Sequence, residues 1–220
     1  MKKNNSFWRN NGLSLALLGC FLLFWGGQAL TGWQEHNQEL NEHGAYSLTF
    51  GAYLQTGHFL SATFENWESE FFQMIVYVLF TISLRQKGSA ESKALEGEES
   101  EDKAPKVHPN APWPVKKGGI WLKFYQNSLT LAYVLLFTIS FCFHAYGSYE
   151  VYRQQQLLSH EEAIPFSKYV IGSRFWFESF QNWQSEFLAV LSIVFLSIYL
   201  RQKGSPESKP VDAPYEKTGK

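Results

Sequence analysis

The chain alternates long apolar runs with strongly polar stretches, and the lengths of the runs decide what each can be. Residues 13–30 are 18 residues without a charge, just long enough to cross a bilayer as a helix. Residues 129–145 form a second strong run, which reaches a full span when Phe124 and Tyr125 are included. Two shorter runs, 71–84 and 187–200, hold 14 residues each and are marginal alone. Extended backwards to Phe64 and Phe180, each becomes 21 residues, about 30 Å of helix and the thickness of the hydrocarbon layer. The pattern predicts an all-α membrane protein with four transmembrane helices, at about 12–32, 64–84, 124–146 and 180–200.

An internal repeat ties these spans together. Laid over itself with an offset of 116 residues, the chain matches without a gap. Leu84-Arg85-Gln86-Lys87-Gly88-Ser89 recurs as Leu200-Arg201-Gln202-Lys203-Gly204-Ser205, and Phe64, Asn66, Trp67, Ser69, Glu70 and Phe71 recur as Phe180, Asn182, Trp183, Ser185, Glu186 and Phe187. Weaker identities include Phe50/Phe166, Tyr53/Tyr169 and Phe59/Phe175. Copies 1–87 and 120–203 each hold two spans and therefore share one orientation, which predicts a tandem parallel repeat of a two-helix unit with pseudo-two-fold symmetry. Residues 88–119, rich in Glu, Ser, Lys and Pro, read as a disordered cytoplasmic linker, and 204–220 as a disordered tail. Residues 46–60 and 164–177 read as short amphipathic helices at the membrane surface or as simple interface anchors.

Charge adds an orientation. Basic residues near span ends are retained in the cytoplasm. Lys2, Lys3 and Arg9 precede the first span, Arg85 and Lys87 follow the second, Lys116, Lys117 and Lys123 precede the third, and Arg201 and Lys203 follow the fourth. Arg85, Lys87, Arg201 and Lys203 are thus cytoplasmic anchors, and both termini and the linker are expected in the cytoplasm. A net charge of −1 gives no reason to expect nucleic acid. Cys20 and Cys142 lie in apolar runs and read as small buried hydrophobes. Leu17-Leu18-Gly19-Cys20 resembles a lipoprotein processing box, but apolar sequence continues past Cys20, which favours a retained span.

Candidate chemistry concentrates where the second and fourth spans begin. On a helix, Phe64, Trp67 and Phe71 fall within an arc of about 60°, while Asn66, Ser69 and Glu70 fall opposite. Glu65 and Glu68, which become Gln181 and Gln184 in the second copy, read as less constrained. Glu70 lies 14 residues from Leu84, about 21 Å along the helix and inside the membrane. In one reading Asn66, Ser69, Glu70, Asn182, Ser185 and Glu186 form a paired polar cluster for a cation, a proton or a head group. In the other the helix sits shallow, Trp67 and Trp183 float at the interface, and the carboxylates complement the helix N-terminus. Gly12, Gly19 and Gly26 form a smooth stripe for helix packing. His36 and His43 accompany Glu35, Glu39 and Glu42, but the second copy does not repeat them, so no metal site is expected; His144 reads as a hydrogen-bonding residue at the interface.

No nucleophile and base pair, no metal-ligand cluster and no phosphate loop stands out, so neither an enzyme nor a cofactor is expected. The expected partners are the lipid bilayer and a second copy or another membrane protein. The segment Asn66 to Phe71, the run 84–92 and the opening Phe7-Trp8-Arg9-Asn10-Asn11 before an apolar run resemble a family of bacterial membrane proteins of unknown function. That resemblance implies a bacterial inner-membrane location and carries no activity. A structural or interaction bundle is the leading functional expectation, with a small cation or proton transporter as the alternative.

Overall fold

The computed structural model describes residues 7–219; Lys2 and Lys3 of the amino-terminal basic group lie outside them. The described chain is helical, without strands: α1 Phe7–Glu42, α2 Phe50–Tyr53, α3 Gly57–Ser83, α4 Trp113–Lys117, α5 Gly119–Gln126, α6 Ser128–Leu158, α7 Phe166–Val170 and α8 Ser173–Tyr199. Two of these, α1 and α6, are long and apolar enough to cross a membrane. Their most apolar stretches are only 6% and 17% buried within the chain, so most of their apolar surface is uncovered by the rest of the described residues. Cys20 and Cys142 share that exposed surface as free thiols, so they are not buried as their apolar neighbours in sequence imply.

Helix ends depart from the run lengths. α1 continues ten residues past the expected boundary at 32, because Gln34 to Glu42 are polar yet good helix formers. It stops in a Schellman turn: Gly44 takes φ +73°, the Ala45 amide donates to Leu40 at 2.8 Å and the Gly44 amide to Asn41 at 3.0 Å. α6 ends the same way, with Glu161 donating to Gln156 at 2.8 Å and His160 to Leu157 at 3.2 Å. His160, at φ +57°, stands where the first copy has Gly44. The third apolar segment is broken at Asn127, which separates α5 from α6 inside the expected 124–146 span.

By its contacts the chain divides into two compact units, Met1–Phe64 with Cys142–Phe175 and Glu65–Phe141 with Trp176–Lys220. Each unit therefore takes segments from both sequence copies. Within the first unit, contacts pair off at the 116-residue offset. Trp33 donates through Nε1 to Leu48 O (2.7 Å) and meets Phe50 edge-on at 5.8 Å; Tyr149 donates through Oη to Ile164 O (3.1 Å) and meets Phe166 edge-on at 5.3 Å. Its core gathers Ala29, Tyr53 and Phe59 with Trp25 and Trp33 packed against them.

Close backbone approach in this unit is made by glycines other than the stripe. A Cβ on Gly57 would lie 2.5 Å from Glu150 Cβ, one on Gly147 2.6 Å from Ser61 N, and one on Gly32 2.3 Å from Tyr53 Oη. At Gly12, Gly19 and Gly26 a Cβ would meet nothing within 4 Å, so the stripe is open among the described residues.

In the second unit, the loops after α3 and α8 are built alike. Gln86 N donates to Ser92 Oγ and Gln202 N to Ser208 Oγ, each at 2.9 Å, while Gly88 and Gly204 take φ +83° and +85°. Residues expected to be free of structure join them. Lys209 is buried, and its Nζ donates to the carbonyls of Gly88 (2.6 Å), Lys217 (2.9 Å), Tyr215 (3.0 Å) and Pro214 (3.3 Å). The Gly88 amide donates to Thr218 Oγ1 at 2.9 Å and the Gly219 amide to Ser89 O at 3.0 Å. Lys93, the counterpart of Lys209, pairs instead with Asp102 in the linker. Such contacts between polar side chains and backbone leave no apolar periodicity, which is why composition alone reads these stretches as free.

Candidate functional site: the duplicated polar motif and its surroundings

The repeated polar residues share a helix face but not an environment. In α3, Ser69 is fully buried while Asn66 and Glu70 are exposed; in α8, Asn182 and Glu186 are half-buried and Ser185 is exposed. Both serines bond to their own helix, Ser69 Oγ to Asn66 O at 2.7 Å and Ser185 Oγ to Asn182 O at 2.8 Å, and Asn182 donates to Glu178 O at 3.2 Å. Such back-bonding satisfies a hydroxyl or amide without a ligand.

The most deeply buried acid of the motif is Glu68, at 0% exposure. Its Oε1 accepts a hydrogen bond from Trp183 Nε1 at 3.0 Å, across 115 residues of chain. Trp183 in turn lies over Phe72 with ring centroids 4.3 Å apart, and Phe72 meets Phe187 edge-on at 5.8 Å. Trp183 is therefore half-buried packing that also neutralises the demand of a buried carboxylate, and Trp67 is half-buried as well. Sequence comparison passes over Glu68, because its counterpart is an exposed Gln184 and the repeat marks only identities.

A second cluster lies at the far end of α1. His36, 4% exposed, stacks on His58 with centroids 4.8 Å apart, and His58 Nδ1 is 3.1 Å from Tyr53 Oη. The two His36 ring nitrogens make no hydrogen bond, and Glu39 Oε2 stands 3.7 Å from Nδ1. Burial, aided by the neighbouring His36, pulls the His58 imidazole below its usual range against the opposing charges of Glu39 and Glu35, and burial pushes the Tyr53 phenol up. The second copy fills the same positions with Tyr152 and Arg174, whose guanidinium sits 5.6 Å over the Tyr152 ring. His43, grouped with His36 by sequence, caps the helix end through Glu39 O at 2.9 Å instead. Among the described residues no three His, Cys, Asp or Glu side chains are arranged to hold a metal ion. His144 is fully buried against Phe175, at 5.0 Å between centroids.

The basic anchors end the helices. Arg85 Nη1 donates to Ile82 and Leu84 carbonyls, both at 3.1 Å; Arg201 Nη1 donates to Ser197, Ile198 and Leu200, and its Nη2 to Ala213 O at 3.1 Å. Lys87 lies 3.7 Å from Glu216, and Lys203 is exposed. A cation at a helix C-terminus meets the negative end of its dipole, which favours both guanidiniums where α3 and α8 end.

No curated protein and no solved structure matches this chain. A family model does, over residues 4–220, and it takes in the paired motif, both loops and the tail together. The chain belongs to the family described as a domain of unknown function, DUF6766.

Proposed function

We propose that this chain is a multi-pass protein of the bacterial inner membrane, with four spans in two parallel copies and both termini in the cytoplasm. Its role is that of a non-enzymatic structural or interaction bundle whose partners are lipid and a second copy or another membrane protein. The observation that carries this reading is the Glu68–Trp183 bond: the most buried acid of the spans joins the two copies to each other. The serines and Asn182 likewise bond to their own helices. Support for the duplicated architecture comes from the matched Trp33/Tyr149 contacts and the matched loops after α3 and α8.

A transport reading rests on the duplication of the carboxylate, Glu70 in the first copy and Glu186 in the second. Two measurements separate the readings. Reporter fusions at both termini and in the linker test topology, and an outward-facing linker sinks the four-span arrangement. Replacing Glu70 and Glu186 together by Gln leaves intact the phenotype rescued in a deletion strain if the chain is an interaction bundle; loss of rescue with unchanged protein level moves the function to cation or proton transport.

A further inference from the structure

The contact of α3 with α6 has a counterpart in the sequence that is left open. In the first unit, a Cβ on Gly147 of α6 would lie 2.6 Å from Ser61 N of α3, and Phe64 stacks on Phe143 with centroids 4.7 Å apart. In the second unit, Phe72 meets Phe137 at 5.6 Å. Along this side of α3, Ser61 and Glu68 are buried and Phe64 and Phe72 half-buried. Moved by 116 residues, the same positions are Phe177, Phe180, Gln184 and Leu188 of α8, and all four are exposed. The three apolar ones show 68%, 56% and 61% of their surface. The α6 side behaves alike: Gly147 and Ser140 are buried, whereas their counterparts on α1, Thr31 and Phe24, are exposed. At Gly27, the counterpart of Phe143, a Cβ would meet nothing within 4 Å.

Lipid alone does not account for the open face of α8. Gln184 sits one helical turn from both Phe180 and Leu188, and 16 residues from Leu200, about 24 Å along the helix and inside the fourth span. An amide turned to hydrocarbon is costly, and polar side chains within spans mark contacts between helices. Copies related by a closed two-fold axis would cover α3 and α8 equally. Here one is covered and the other open, so the two copies meet head to tail and leave two unlike faces, one on α8 and one on α1. We propose that a second copy of this chain lays its α1 on the α8 of the first, repeating between molecules the α3 contact with α6, and that the copies close into a ring about an axis along the membrane normal. The assignment rests on the membrane reading above.

The two open faces are complementary in size. Within the chain, small Ser61 meets small Gly147 and large Phe64 meets large Phe143. Between molecules, the same register sets Phe177 of α8 against Thr31 of α1, and Phe180 against Gly27. Bulk on α8 thus faces small residues on α1, as packed helices in a membrane require. A contact between unlike faces uses one face of each copy and leaves the other for the next, and it ends only when the ring closes.

The test is disulfide crosslinking of the full chain carrying Cys20→Ala and Cys142→Ala. One version bears Thr31→Cys and a second, differently tagged, bears Phe177→Cys, at the counterparts of Gly147 and Ser61, whose backbones approach within disulfide reach. Both positions are exposed, so the replacements leave folding intact. Co-expressed and oxidised with copper phenanthroline in membranes, unlike chains should crosslink roughly tenfold more than like chains, as a contact between unlike faces requires. Native mass spectrometry of the unaltered chain in detergent should show an oligomer. Thr31→Trp puts bulk where the two helices come closest and should weaken that oligomer by roughly tenfold. Crosslinks mainly between like chains, no crosslink between unlike ones, or an oligomer indifferent to Thr31→Trp overturns the proposal. Flotation of the chain with membranes after carbonate washing is measured alongside: failure to float removes the membrane reading itself, whereas a monomer that floats removes only the ring.

Discussion

At the scale of single residues, burial and identity between the copies give different rankings. Glu68 has no charged counterpart, yet it is the acid most completely removed from solvent. Trp183→Phe keeps the ring packing on Phe72 and removes the donor, so it should cost about 2 kcal/mol of stability, while Glu68→Gln, which still accepts from the indole, should cost less. Thermal unfolding in detergent reads both. His160 holds a left-handed conformation that Gly44 adopts freely in the first copy, so His160→Gly should stabilise by about 1 kcal/mol in the same measurement. The sign at His58 follows from its environment. Its folded state holds fewer protons than the unfolded chain, so its contribution is complete above the unfolded value near about pH 6.5 and is lost as pH falls through the lowered folded value. Charging it sets a cation beside His36 and Tyr53, opposed only by Glu39 and Glu35. Between about pH 7.5 and 5.5 the unaltered chain should lose more thermal stability than His58→Gln; equal losses would remove His58 from the account.

At the scale of elements, hydropathy made the apolar helices legible, and the glycines show where it stopped. The seven-residue spacing of Gly12, Gly19 and Gly26 makes a smooth face, but smoothness alone does not select a partner, and among the described residues that face is open. Gly57 and Gly147, which belong to no stripe, are where the α3 and α6 backbones approach too closely for a Cβ. Gly57→Ala or Gly147→Ala should therefore destabilise by about 2 kcal/mol through overpacking, whereas Gly19→Ala should change stability by less than about 0.5 kcal/mol. The two sets compared in one unfolding series decide it. Helix lengths followed a similar logic: α1 and α6 exceed their apolar runs because helix formation depends on propensity and end capping as well as on hydrophobicity. The break at Asn127 left no proline or glycine to announce it.

For the molecule as a whole, the offset of 116 residues relates positions whose contacts in places correspond, as those of Trp33 with Leu48 and Tyr149 with Ile164 do. It could not foretell where the pairs differ. Glu68 bonds Trp183, but Gln184 on the other side is exposed, so the two copies meet unequally. Chains cut in the linker and co-expressed as two halves should reassemble as a pair of unlike halves, with Trp183→Phe in the second half weakening recovery on affinity purification; equal recovery of like pairs would mean that the Glu68–Trp183 bond does not select. The carbonyl cage around Lys209 adds an order of events. Its oldest member, Gly88, leaves the ribosome long before its youngest, Lys217, and the Gly88 amide waits 130 residues for Thr218. At ordinary ribosomal speeds that interval is roughly ten seconds. The first loop is thus completed only after a further 130 residues have been made, so a chain stopped before Lys217 would leave an early part of the protein unfinished.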